Sequence, residues 1–290
     1  MTSYASFNIP GSKYIQALSP SKGLVLLRLN RGPVNAFNEP YWRELHRTFD
    51  HVSSHPEVRC IVLSSAFDKL FTAGLDLNDT DTLSGGKDLD VGRKGYILHH
   101  HVKDFQDAIT SIEKCHKPVI AAINGLCLGL GVDIASACDI RLASESAVFG
   151  ILEVDVGLAA DIGTLQRFPK IISSASLARE LCFTGRRFGA IEAEGMGFVS
   201  KVVPGGLKGV EEEAVRMGGV VAGKSPVAVL GTKNILNYSR DHSVDDGLNY
   251  TAAWNMAMLQ TEDMTRAVQN FKNKGKGAVY SDMPEVLAKL

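Results

Sequence analysis

The chain is predicted to be an α/β protein. Three short apolar runs read as buried strands, at residues 23–30 (GLVLLRLN), 58–64 (VRCIVLS) and 118–123 (PVIAAI). Stretches with helical periodicity separate them. Strands alternating with helices indicate an α/β fold and not a bundle or a sandwich.

Taken in order, the first run is followed by a mixed polar and apolar segment, 40–55, expected to be a helix. The second run precedes residues 78–92, rich in Asp, Gly and Thr, which read as a mobile loop. Ile97, Leu98, Val102, Phe105, Ile109 and Ile112 then recur at helical spacing. The third run opens with Pro118 and ends at Asn124-Gly125, a strand-to-helix turn leading into Ile134 to Cys138. Helical patterns follow at 162–168 and 174–183. Beyond Val202-Val203-Pro204 the character changes: 208–222, 226–238, 245–260 and 262–272 all read as helices. A boundary is therefore expected near 205, with an α/β core over 1–205 and a helical part over 206–290.

Composition narrows the function. The 290 residues are 45% hydrophobic and 22% charged, ordinary for a globular protein, and the net charge is −1. That balance lacks the basic excess of a nucleic-acid binder. No apolar run is long enough to span a membrane. The amino end shows neither an apolar signal region nor an arginine-rich amphipathic pattern. The five cysteines, Cys60, Cys115, Cys127, Cys138 and Cys182, have no CxxC spacing and read as buried thiols in a reducing compartment. The chain closes on Ala288-Lys289-Leu290, one small-residue change from the Ser-Lys-Leu peroxisomal address.

Two motifs invite over-reading. Residues 218–225, GGVVAGKS, satisfy the P-loop pattern GxxxxGK[ST], which works only where a buried strand feeds the loop and a helix follows. Here Val210, Ala214, Met217 and Val221 form one helical stripe, so the match sits at the end of an amphipathic helix. The consecutive His99, His100 and His101 point in three directions on a helix and cannot converge on one metal; a solvated face is the better account.

The turns Ala73-Gly74-Leu75-Asp76-Leu77 and Gly125 to Asp133 have more chemical content. Glycines at such turns let backbone amides face a ligand, and two converging amides make an oxyanion hole. From spacing alone, tight turns are the plainer account. The stretch 153–161, EVDVGLAAD, sets Glu153, Asp155 and Asp161 around apolar residues. Asp133 has a plain reading as a helix-dipole partner, Asp161 as a helix cap, and Asp155 as a solvated acid. Glu153 follows Phe149 and Ile151 in strand-like alternation, and a buried acid needs a partner or a raised pKa.

Together Arg31-Gly-Pro-Val-Asn35-Ala36-Phe37, FTAGLDL at 71–77, KPVIAAINGLCLGLGVDIASACDIRLAS at 117–144 and LCFTGRRFGAIEAEGMGFVSKVVP at 181–204 resemble the crotonase, or enoyl-CoA hydratase/isomerase, superfamily over nearly the whole chain. The resemblance implies a spiral of ββα turns and a carboxyl-terminal helical trimerisation region, with trimers commonly paired. It implies an oxyanion hole from the Leu75 and Leu130 amides. Leu130 replaces a usual glycine and is expected to narrow the pocket. Coenzyme A is expected against Asn35, Ala36, Phe37 and Ala73, Gly74, Leu75, Asp76, Leu77.

Within the superfamily, EVDVGLAADIGTLQRFPK at 153–170 resembles the Δ3,5-Δ2,4-dienoyl-CoA isomerase branch, which carries acids at the positions of Asp133, Glu153 and Asp161. A hydratase has glutamate at both of the first two. The resemblance implies conversion of a 3,5-dienoyl thioester to the conjugated 2,4-dienoyl thioester. Glu153 is expected to act as base at carbon 2 and Asp161 as acid at carbon 6, or the reverse, with Asp133 polarising the substrate and Asp155 structural. It implies no metal and no cofactor beyond the thioester's own coenzyme A, and it makes a peroxisome, reached through an import receptor, the expected location. A 2-enoyl-CoA hydratase or Δ3,Δ2-enoyl-CoA isomerase on the same fold, a P-loop nucleotide binder, and a catalytically silent assembly subunit are the alternatives.

Overall fold

In the computed structural model, the structure describes residues 4–78, 89–275 and 277–285. Of the stretch expected to be a mobile loop, 79–88 lies outside these residues, as does Ala288-Lys289-Leu290.

The three apolar runs become β3 (Leu24–Leu29), β4 (Cys60–Ser65) and β6 (Val119–Ile123), adjacent and parallel in a seven-stranded sheet. Each is apolar on both faces because both faces are covered. Val25, Leu27, Ile61, Leu63, Val119 and Ala121 point into the main core, while Leu24, Leu26, Cys60, Val62, Ile120 and Ala122 point into a second. Burying one such Leu, Ile or Val contributes roughly 1.5–3 kcal/mol. The sheet is completed by β1 (Ala5–Ser6) and β2 (Ile15–Ser21), antiparallel at one edge, and by β8 (Ile140–Ser144) and β11 (Lys201–Val203), parallel at the other.

A second sheet of four short strands stands beside it. It holds β5 (Leu70–Thr72), β7 (Leu126–Leu128) and β9 (Val148–Gly150), mutually parallel, with β10 (Phe188–Gly189) antiparallel at one edge. Successive pairs β4–β5, β6–β7 and β8–β9 give one strand to each sheet and are each followed by a helix. This is the expected spiral of ββα turns.

The main core is covered by α1 (Glu39–Ser54), whose buried stripe is Tyr41, Trp42, Leu45, Phe49 and Val52, and by α2 (Val91–Lys114). Asn38 caps α1 and Asp90 caps α2 through their side chains. Only the second half of α2 reaches the core, through Phe105, Ala108, Ile109 and Ile112; Ile97 is exposed. Then come α3 (Leu130–Ala137), α4 (Thr164–Ile171), α5 (Ala175–Thr184) and α6 (Ala190–Gly195).

After β11 the described elements are all helices: α7 (Gly206–Ala222), α8 (Pro226–Ser239), α9 (Val244–Met258) and α10 (Glu262–Lys272). The first of these is part of the sheet's own packing. Val210, Ala214 and Ala222 of α7 lie in the second core, and a Cβ on Gly218 would come within 2.7 Å of Leu24 Cδ1. This disposes of the P-loop reading. Residues 218–222 finish a helix lying on the sheet, no strand feeds them, and Ser225 caps α8 while its hydroxyl donates to Asp263 at 2.6 Å. The five cysteines are buried and free, with burial pushing the Cys60 and Cys138 thiols up to about 12. No described helix is long and apolar enough to cross a membrane.

Candidate active site

The site is built where the ends of the small-sheet strands meet the loop after β3. Asn35 organises that loop. It adopts a left-handed conformation (φ 50°) and is fully buried. Its Nδ2 donates to Leu29 O, Ser65 Oγ and Phe71 O at 3.0–3.1 Å, and its Oδ1 accepts from Arg31 N at 2.7 Å. Left-handed φ is tolerated by asparagine better than by most residues, and every polar atom of this amide finds a partner. The loop then pairs with residues 73–76: Phe37 N–H donates to Gly74 O at 2.8 Å and Asp76 N–H to Phe37 O at 2.9 Å. Arg31 spans the two, reaching Ala36 O at 2.5 Å and the Asp76 carboxylate at 2.9 Å.

Of the positions expected to meet coenzyme A, Asn35 and Phe37 are therefore buried supports, Phe37 being stacked on Tyr41 at 4.0 Å. Gly74 is also buried, whereas Ala36, Ala73 and Asp76 are partly accessible and Leu75 and Leu77 are exposed.

The pairing on either side of Leu75 uses the Asp76 amide and the Gly74 carbonyl, which leaves the Leu75 N–H aimed elsewhere. Leu130, the first residue of α3, has no carbonyl one turn back to bond. Among the described residues, neither amide donates to a protein acceptor. The two turns are in close contact. Gly74 has φ +97°, and a Cβ there would lie 2.9 Å from Leu128 O and 3.6 Å from Leu130 N. Only glycine permits both that φ and that approach. The Leu130 side chain, expected to narrow the pocket, is instead buried in the main core, 5% exposed.

Asp133 and Glu153 lie beside this turn, and Asp161 lies within electrostatic reach of Glu153. Glu153 opens a 3-10 turn, Glu153–Val156, directly after Phe149 and Ile151, both buried as the alternation required. Its Oε1 would lie 3.5 Å from a Cβ on Gly129, next to the Leu130 amide, and its Oε2 is buried with no hydrogen-bond partner among the described residues. Burial raises the Glu153 carboxyl above its ordinary range. Its own backbone N–H opposes this, and the charge of Asp161 adds to it.

Asp161 is exposed on the single chain, yet partial desolvation is the largest influence on its carboxyl and raises it; its own backbone N–H and the His101 charge pull it back. Asp133 is buried on the first turn of α3, and its Oδ1 accepts from Thr164 N at 2.6 Å. Burial pushes it up to about 7, against the pull of the Thr164 hydrogen bonds and with the Glu153 charge adding to the rise. Asp133 is thus neither its own helix's dipole partner alone nor a free acid; it caps α4, the duty that sequence suggested for Asp161.

Asp155 stands apart. Its carboxylate lies against Gly185 at the end of α5, where a Cβ would meet it at 3.0 Å. The apolar residues between the acids are open on the single chain: Val154, Val156 and Leu158 are 41%, 54% and 39% exposed, and only Ala160 is buried. They make an open apolar face beside the acids. His99 and His100 are exposed, and His101 turns its edge to Trp42 at 5.9 Å. Among the described residues no group of three His, Cys, Asp or Glu is placed to hold a metal ion.

Three residues sequence reasoning did not single out complete the site. Thr164 supplies the amide that holds Asp133. Gln106 donates to Asp161 O at 2.7 Å, and Arg167 reaches Glu113 at 2.6 Å from just behind the acid loop. The pairings cross 31, 55 and 54 positions of chain, and no local pattern encodes them.

The arrangement offers two free amides, a half-buried carboxylate near them and a second carboxylate within its electrostatic reach. That set suits proton transfer next to a carbonyl. Comparison with known proteins agrees. The family model for enoyl-CoA hydratase/isomerase matches residues 20–280. The rat protein named mitochondrial Δ(3,5)-Δ(2,4)-dienoyl-CoA isomerase is 49% identical over 88% of this chain and 78% of its own length. The Arabidopsis thaliana protein named as the peroxisomal isomerase is 44% identical over 84% and 88%. The crystal structure of an enoyl-CoA hydratase from Bacillus anthracis superposes with a TM-score of 0.82 at 29% identity, covering 93% of this chain and 99% of that one. The chain belongs to the enoyl-CoA hydratase/isomerase family.

Proposed function

We propose that the protein isomerises 3,5-dienoyl-CoA thioesters to 2,4-dienoyl-CoA thioesters, as its relatives from rat and Arabidopsis are named for doing. The observation that carries this reading is the pair Glu153 and Asp161: two carboxyls, both raised above their ordinary range and each lacking a cationic hydrogen-bond partner, the first beside the turn that bears the Leu130 amide and the second within electrostatic reach of the first.

In this reading Glu153, ionised, takes a proton from carbon 2. The electron pair left behind spreads through the diene onto the thioester oxygen, where the two amides donate to it; one such donor is worth about 3 kcal/mol of barrier. Asp161, protonated, delivers its proton to carbon 6, and the 2,4-diene results. One proton leaves and one arrives, so the overall step is redox-neutral and assigns no role to a metal or redox cofactor. The separation of carbons 2 and 6 is why two acids serve. Coenzyme A would lie along Ala36 and Ala73 to Leu77, with the acyl chain on the apolar face of Val154, Val156 and Leu158.

Hydration is the weaker reading. A hydratase needs two carboxylates free to hold a water, and Asp133 has one oxygen committed to Thr164. The discriminating assay offers the purified protein 3,5-octadienoyl-CoA and, separately, crotonyl-CoA. Growth of the conjugated dienoyl absorbance with no loss of crotonyl absorbance supports isomerisation; the opposite pattern supports hydration.

The expected trimer, or dimer of trimers, is supported by the exposed apolar residues of the last helices, Leu236, Leu248, Met256 and Phe271 at 63–86% exposure. A mass in solution near one copy would reject it. A peroxisomal address is supported by Ala288-Lys289-Leu290 and by the Arabidopsis relative, while the rat relative is named mitochondrial. Deleting the last three residues and imaging a tagged protein would decide.

A further inference from the structure

One face of α2 carries three polar side chains at helical spacing, Gln106, Thr110 and Glu113, and all three hold the segment that bears Asp161. Gln106 Nε2 donates to Asp161 O at 2.7 Å. Arg167 Nη2 donates to Thr110 Oγ1 at 2.9 Å, and Arg167 Nε donates to Glu113 Oε2 at 2.6 Å. Positions i, i+4 and i+7 lie on one side of a helix, so the stripe is a rail along which residues 161–167 are fixed.

The rail is itself anchored. Lys103 Nζ donates to Gln106 Oε1 at 3.2 Å, and Arg240 at the end of α8 donates twice to Glu113 at 3.0 Å. Arg167 also fills the space beside Gly163, where any Cβ would clash with its guanidinium and where φ is +133°. The side chain of Asp161, in contrast, accepts no hydrogen bond from another residue among those described. It is held by its own backbone N–H, and Gln106 makes the hydrogen bond to that backbone at the acid itself.

We propose that Gln106 is a positioning residue for Asp161: its hydrogen bond to the Asp161 carbonyl holds the acid where it can protonate the distal end of the diene. This rests on the assignment of Asp161 as the acid at carbon 6. Proton removal at carbon 2 belongs to Glu153, on a different segment, so the two half-steps respond separately to loss of the rail.

The test is the Gln106→Met protein, which keeps the length of the side chain and loses the donor. It is compared with wild type and Asp161→Asn in D2O, reading kcat and KM for 3,5-octadienoyl-CoA and the rate at which recovered substrate gains deuterium at carbon 2. A displacement of about 1 Å at a reacting group lowers rates about 100-fold. Gln106→Met is expected to lose ten- to a hundredfold in kcat, with KM within twofold and carbon-2 exchange at the wild-type rate. Unchanged kcat, or kcat and exchange falling together, overturns the proposal. If Gln106→Met does not fold, Gln106→Glu carries the same comparison, since its carboxylate repels the carbonyl. Normal turnover in Asp161→Asn would remove the acid assignment itself, and the proposal with it; an inactive Asp161→Asn beside a normal Gln106→Met removes only the role of Gln106.

Discussion

The Oδ1 of Asp133 accepts a 2.6 Å hydrogen bond from the backbone N–H of Thr164, so an acid on α3 caps the first turn of α4. Both groups are buried. This bond ties the helix behind the oxyanion turn to the segment that follows Asp161.

Asp133→Asn keeps an acceptor for Thr164, whereas Asp133→Ala leaves a buried N–H unpaired. Loss of that bond costs about 1–3 kcal/mol. The Ala variant should unfold at lower urea than the Asn variant, and equal midpoints would show that the cap contributes nothing.

The same acid makes stability depend on pH. In the folded protein Asp133 holds its proton up to about pH 7, while in the unfolded chain it is released near pH 4. The native state binds the extra proton across that window, so its contribution is full below about pH 4 and is lost as pH rises through 7, by at most about 4 kcal/mol. Urea midpoints measured at pH 5 and pH 8 should differ less in Asp133→Asn than in wild type.

Glu153 must be ionised and Asp161 protonated for turnover, and both carboxyls lie above their ordinary range. The pH–rate profile should be bell-shaped, with its acidic limb above the ordinary glutamate value of about 4.3. His101 pulls Asp161 down, so His101→Phe should move the alkaline limb to higher pH. A limb that stays in place would separate His101 from the acid.

The oxyanion hole is made of backbone, and side-chain changes should separate accordingly. Leu75→Ala keeps the amide and is expected to stay within a few-fold of wild-type kcat. Gly74→Ala forces a Cβ to 2.9 Å from Leu128 O at φ +97° and should lower kcat about 100-fold, the scale of losing one donor. Equal kinetics in the two variants would contradict the amide assignment.

Much of this was legible in the residues. β3, β4 and β6 are long enough, and apolar on both faces, to announce themselves, and the helical periods of α1, α7 and α8 are plain. The small sheet was not legible. Its strands β5, β7 and β9 are three residues each, LFT, LCL and VFG, too short to display any period. The burial of Phe149 and Ile151 ahead of Glu153 was legible in their alternation. Asn35 and Phe37 were expected against coenzyme A, but they carry the loop from beneath, since a left-handed asparagine with four hydrogen bonds leaves no polar atom for a ligand. The roles of Gln106, Thr164 and Arg167 exist only once distant segments meet.

The most direct measurement is the rate of conjugated dienoyl formation from 3,5-octadienoyl-CoA by Glu153→Gln and by Asp161→Asn, each shown by circular dichroism to be folded. Removing a positioned acid or base lowers turnover by about 100- to 10,000-fold, and the two-carboxyl account predicts a loss of that size in each. Near-wild-type turnover in either variant would contradict it.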